Sequence, residues 1–148
     1  MAKIVESDES IMGSLKTGDI LLNFCNIGCN WDTILQSAFR NKFFKAYIAD
    51  KGTHRGSTDK LGMLTWAKES AGFYVYNLYC FIENKRDGDA LRESALIGSL
   101  KAAEALHQGR RVIVPWREYC AKTEDRGVLE AAICDIFPDD TEVLFIEF

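Results

Sequence analysis

Two short runs, Ile20–Cys25 (ILLNFC) and Arg111–Trp116 (RVIVPW), are apolar almost throughout. A strand on a half-solvated sheet alternates apolar and polar residues, so a run without alternation must be covered on both faces. Four further stretches rich in β-branched and aromatic residues read as strands: Lys3–Glu6, Leu61–Ala67, Phe73–Ile82 and Glu142–Phe148. Between them the apolar spacing becomes helical. Trp31–Phe43 sets Trp31, Ile34, Leu35, Ala38 and Phe39 on one side, and a shorter helix follows at Lys45–Asp50. Asp89–His107 is the clearest helix, with Leu91, Ala95, Leu96, Leu100, Ala103 and Leu106 along one side and Gly109 placed to stop it. A last helix covers Glu124–Phe137 and is closed by Pro138. Central strands covered on both faces, alternating with helices, predict an α/β fold, a three-layer α/β/α sandwich around a mixed central sheet. In such sheets ligands bind where loops leave the carboxyl ends of the central strands. Cys25–Trp31 and Trp116–Arg126 are therefore the segments expected to carry a site.

A chain of 148 residues has room for one domain. Its 47% hydrophobic and 27% charged residues describe a folded globular protein and exclude disorder or a coiled coil. Eighteen basic against twenty-two acidic residues give a net charge of -4, which leaves no electrostatic footprint for duplex nucleic acid. A small anionic ligand stays compatible, because backbone amides hold phosphate without net positive charge. No apolar run approaches the roughly 18 residues of a membrane span. The opening MAKIVESDESIMGSLKTGD has no uninterrupted apolar core of a secretory signal, so a cytoplasmic location is expected. The five cysteines are an odd number and most lie in apolar runs, which suits buried free thiols. Cys25 and Cys29 have the spacing of half a zinc site, but no second pair follows and His54 and His107 stand alone. Neither a metal nor a cofactor is expected.

Four stretches, taken in order, resemble a macro domain of the compact kind that acts on ADP-ribose derivatives. GDILLNFCN (Gly18 to Asn26) is similar to the family's Gly-Asp-Ile/Leu, strand and strand-end asparagine. CNWDTILQSAFRNKFFKAY (Cys29 to Tyr47) is similar to its Trp-Gly-Gly-Gly-Ile-Ala helix start and the basic, aromatic stretch ending in Lys-Ala-Tyr. KLGMLTWAKESAGFYVYNLYCF resembles the Leu-Gly turn and strand pair, and RVIVPW with the later EVLFIEF resembles the second ligand loop and closing strand.

The resemblance implies roles residue by residue. Asp19 matches the carboxylate that accepts from the adenine amino group, although a Gly-Asp turn before a strand also suits it, and Ile20 would lie against the adenine face, a place that burial in the core explains equally well. Asn26 matches the asparagine near the distal ribose, although a strand-end asparagine equally suits a bond to its own backbone. Trp31 matches the tryptophan before the glycine run, where it also serves as a packing anchor. Lys42 and Lys45 fit a solvated helix face. In the second loop, Trp116 and Tyr119 offer aromatic faces, and Arg117, Lys122 and Arg126 offer charged donors for phosphate.

The chain also departs from the family. Consecutive glycines that let backbone N–H groups approach a diphosphate are replaced by Asp32, Thr33 and Ile34. The second loop keeps only Gly127, and Asn23 stands where phosphatase-type relatives often carry a histidine. Glu124 and Asp125 are the candidate general bases, and both equally suit the acidic opening turn of a helix. The resemblance therefore implies a diverged domain that binds ADP-ribose or a related NAD-derived adenine nucleotide, sensing or sequestering it. The alternatives are an ADP-ribose 1″-phosphate phosphatase or ADP-ribosyl hydrolase, and a scaffold with a closed pocket that contacts a protein. Compact relatives occur in viruses of bacteria as well as in cells, which makes counter-defence one setting for such a protein.

Overall fold

Strand β2 (Ile20–Asn26) is buried along its whole length. The computed structural model describes residues 2–7, 11–29, 31, 34–82, 90–107, 109–115 and 123–146. Among these, β2 runs parallel to β4 (Tyr74–Ile82) on one side and to β6 (Val112–Pro115) on the other. The sheet continues through β7 (Glu142–Ile146) to β1 (Lys3–Ser7), again in parallel. Beyond β4, β3 (Leu64–Lys68) pairs antiparallel along its first half, and β5 (Ala90–Leu91) antiparallel at its end. The order β1-β7-β6-β2-β4-β3 is thus a mixed sheet, parallel from β1 through β4 and antiparallel beyond β4.

Adjacent residues of β4 show how the layers are arranged. Tyr76 Oη donates to the Leu106 carbonyl of α4 (Glu93–His107), and the next residue, Asn77, donates from Nδ2 to the Ala46 carbonyl of α3 (Phe44–Lys51). Successive side chains of a strand point to opposite faces, so α4 and α3 cover opposite faces. Helix α5 (Thr123–Ile136) packs on α4, and α2 (Ile34–Lys42) on α3. This is the three-layer sandwich the sequence predicts. Its core is filled by fully buried Leu21, Leu22, Leu78, Leu96, Leu100, Ile113 and Phe145, each contributing about 1.5–3 kcal/mol by leaving water.

Several boundaries differ from the sequence expectation. Leu61–Gly62 forms a turn rather than the start of β3. Gly62 has φ +85° there and lies against Ala95 and Gly98 of α4. The expected helix from Asp89 begins only at Glu93, because Ala90 and Leu91 pair with Ile82 and Phe81. Helix α2 begins at Ile34, not Trp31. A one-turn helix, α1 (Ile11–Ser14), was not legible in the spacing. Gly109, as expected, follows α4 in the left-handed region at φ +75°. Leu106, on the predicted apolar side of α4, is exposed.

Candidate functional site

Asp19 and Asn26 sit at opposite ends of β2. At about 3.3 Å per residue, that strand separates them by on the order of 20 Å. Asp19 lies at the amino end, where Arg111 holds it: Nη2 is 2.6 Å from Oδ2 and Nε is 3.2 Å from Oδ1. Oδ2 also accepts the Lys16 N–H at 2.8 Å. Asp19, expected to accept from an adenine amine, is thus set apart from the site residues at the carboxyl ends. Its carboxylate is nearly buried, is saturated by an arginine and a backbone amide, and faces away from the carboxyl ends of the strands. Ile20, expected against an adenine face or in the core, follows it. Ile20 is 1% exposed and its N–H is bonded to the Arg111 carbonyl, so it presents no face to a ligand.

The carboxyl end of β2 opens into loop one. Asn26 Oδ1 accepts the Gly28 N–H at 3.0 Å, closing the strand-end turn. The Ile27 N–H donates to the Phe81 carbonyl, and the Ile27 carbonyl accepts from Gly56 N and from Lys60 Nζ, the latter at 3.0 Å. Cys29 turns the chain with φ 55°, a left-handed conformation that L side chains seldom adopt. Its carbonyl accepts Lys51 Nζ at 2.8 Å, and its Sγ lies 3.3 Å from both Lys60 Nζ and Thr53 Oγ1. Lys60 is almost wholly buried, with its ammonium 4.6 Å from the centre of the Tyr79 ring.

Beneath loop one runs a buried polar chain whose donors all point one way. Asn23 Nδ2 donates to Asn77 Oδ1, Asn77 Nδ2 donates to Thr65 Oγ1, and Thr65 donates to Tyr79 Oη. Tyr79 Oη then donates to Asp50 Oδ1 at 2.7 Å, which fixes Thr65 as the donor to the phenol. Trp31 Nε1 reaches the other oxygen, Asp50 Oδ2, at 2.6 Å. Trp31 is thus the packing anchor that its sequence position suggested, edge-on to Tyr47 and buried. Burial, with Asp50 close by, pushes the Cys25 thiol well above its ordinary range. The same burial, with Cys25 and Asp50 adding to it, keeps the Tyr79 phenol protonated far past the usual tyrosine range.

Of the other predicted residues, Arg126 lies on α5. Its Nε is 3.6 Å from Glu130 Oε2 and its guanidinium is 5.4 Å from the Phe145 ring, near the carboxyl end of β7. Glu124 and Asp125 belong to the first turn of α5, with side chains outside the described set. Trp116, Arg117, Tyr119 and Lys122 lie outside the described residues. Lys42 and Lys45 are exposed, as read. The structure therefore places Asn26, Trp31 and Arg126 toward the carboxyl ends and Asp19 and Ile20 at the other end. Sequence reasoning missed Asp50, Lys51 and Lys60. They fall in and beside a polar stretch, KGTHRGSTDK, whose only signal is a pair of lysines among turn residues.

Comparison with protein-family profiles and with curated protein sequences finds no match. Solved structures do match over essentially the whole chain. A macrodomain protein from Streptomyces coelicolor is 18% identical with a TM-score of 0.72, covering 99% of each chain. The macrodomain of Mycobacterium tuberculosis DarG is 12% identical with a TM-score of 0.71, over 100% of this chain and 99% of that one. The macrodomain of Thermus aquaticus DarG is 14% identical with a TM-score of 0.69, covering all of both chains. The chain has the macro-domain fold.

Proposed function

We propose that the protein binds ADP-ribose, or a related adenine nucleotide, across the carboxyl ends of β2 and β6, and holds it without efficient turnover. The observation that carries this reading is the construction of loop one. Lys51 and Lys60 bring two ammonium groups beneath a left-handed turn at the carboxyl end of β2. They tie down the Ile27 and Cys29 carbonyls, so that side chains set the turn that glycines set in macro domains. Holding is favoured over turnover by Asn23. At the position where phosphatase-type relatives carry a histidine, its amide is fully buried and bonded to Asn77. A buried amide is out of reach of a solvent-side water and is no general base.

Asn26, Trp116, Arg117, Tyr119 and Arg126 remain the residues assigned to the ligand in this reading. A carboxylate for the adenine amine must come from elsewhere than Asp19. Asp8 and Glu9 follow β1 in sequence and are the first to substitute. The test is calorimetric titration with ADP-ribose, using AMP as a shorter control. Saturable heat that Asn26→Ala weakens and Asp19→Ala leaves intact supports the reading. No heat from the folded wild type sinks it.

A further inference from the structure

We infer that Lys60 shapes loop one in place of glycine, so that ligand affinity depends on a side chain that does not itself reach the ligand. This rests on the nucleotide-binding reading of the carboxyl-end site. The argument starts from Cys29. A residue with a Cβ at φ 55° is conformationally costly, and glycine is the usual occupant of such a turn. Something outside the residue must hold it there, and the tie that also reaches the other side of Gly28 comes from Lys60. Lys60, at the end of the 3-10 turn Thr58–Lys60, sends its ammonium across to the Ile27 carbonyl at 3.0 Å and the Cys29 thiol at 3.3 Å. One cation thus clasps the residues on both sides of Gly28.

The clasp is itself held in place. Lys60 is 7% exposed, and its ammonium lies over the Tyr79 ring, whose hydroxyl is fixed by Asp50 and Thr65. A buried ammonium is costly unless its hydrogens have acceptors, so it stays with the carbonyl, the thiol and the ring rather than swinging to solvent. Lys51 adds a second tie from α3 to the Cys29 carbonyl, but from an exposed position. Lys60 is therefore a positioning residue. It replaces the conformational freedom of glycine with a side-chain clamp.

The experiment is a double-mutant cycle between Lys60→Met and Cys29→Gly. It reads ADP-ribose affinity by calorimetry and amide hydrogen exchange at residues 27–29. Removing a charged hydrogen-bond donor should weaken affinity about tenfold and speed exchange at 27–29 by a similar factor. Adding Cys29→Gly to Lys60→Met should restore most of both, because glycine adopts the left-handed turn unaided. A lysine that only supports the core, or that attracts the ligand by charge, gives no such rescue. Wild-type exchange and affinity in Lys60→Met, or a double variant as weak as Lys60→Met, overturns the inference. If Lys60→Met melts too low to titrate, Lys60→Gln is read in the same cycle. Should the wild type itself bind no ADP-ribose, the nucleotide reading fails, and the exchange measurements still decide the role of Lys60.

Discussion

Arg111 grips Asp19 with two nitrogens at 2.6 and 3.2 Å, and the same guanidinium reaches the Ser14 carbonyl. Both partners are largely shielded from water, so removing one leaves a charge with little solvation. Asp19→Ala is expected to cost about 3–5 kcal/mol in urea unfolding, with Arg111→Met costing less than the sum when combined. Additive losses in the double variant would show that the two side chains act independently.

Gly98 tests whether backbone propensity or close approach governs α4. Alanine in a helix interior normally gains about 1 kcal/mol over glycine. At Gly98, however, a Cβ would meet the Cα and carbonyl oxygen of Gly62 at 3.3 Å, and both are backbone atoms that cannot rotate away. Overpacking of this kind costs roughly 1–3 kcal/mol, so Gly98→Ala should lower the melting temperature. A raised melting temperature would show that α4 can shift away from the Gly62 turn at little cost.

Asp50 receives the Tyr79 hydroxyl on one oxygen and the Trp31 indole N–H on the other. Tyr79→Phe and Trp31→Phe should each cost about 1–3 kcal/mol, the penalty for a buried acceptor left without its donor. Together they should cost more than their sum, since each single variant leaves Asp50 one donor. Chemical denaturation of the three variants gives the coupling directly.

Stability should fall on the alkaline side. The folded pKa values of Cys25 and Tyr79 are both raised by burial, so the folded chain keeps protons that the unfolded chain releases. The contribution is fully present below the ordinary thiol value and is lost as pH rises above about 9, more steeply above about 10 where tyrosine ionises. Each group adds a slope of about 1.4 kcal/mol per pH unit in its window. Cys25→Ala should flatten the first decline and Tyr79→Phe the second. A stability flat from pH 8 to 11 in the wild type would show that neither group is sealed from solvent.

The central strands were legible because ILLNFC and RVIVPW cannot lie on a wetted surface, and α4 because its leucines and alanines repeat with helical spacing. The short β5 was not, since Ala90 and Leu91 read as the opening of a helix and pair only because β4 extends past the end of β3. The site divides the same way. Asn26 is where a strand-end asparagine must be, and Trp31 packs as a large apolar residue packs. The Gly-Asp-Ile setting of Asp19 says nothing about which end of the strand it lies at, and its grip by Arg111 was not legible either. Lys60 was silent because a buried lysine in a polar segment looks like any solvated one until Ile27 and Cys29 are folded over it.

Strand β1 has β7 as its only partner among the described residues, with Lys3 opposite Glu142 and Ser7 opposite Ile146. On a ribosome making about 5–20 residues per second, β1 therefore waits roughly ten to thirty seconds for the strand that will receive it. During that wait the five strands between them in the chain can assemble their sheet without it, and β1 can seek other edges. A strand of five residues, with lysine and glutamate in its sequence and Val5 left exposed, is a poor template for such encounters. The same five residues that pair along their whole length with β7 in the finished sheet thus offer the unfinished chain's neighbours little to capture.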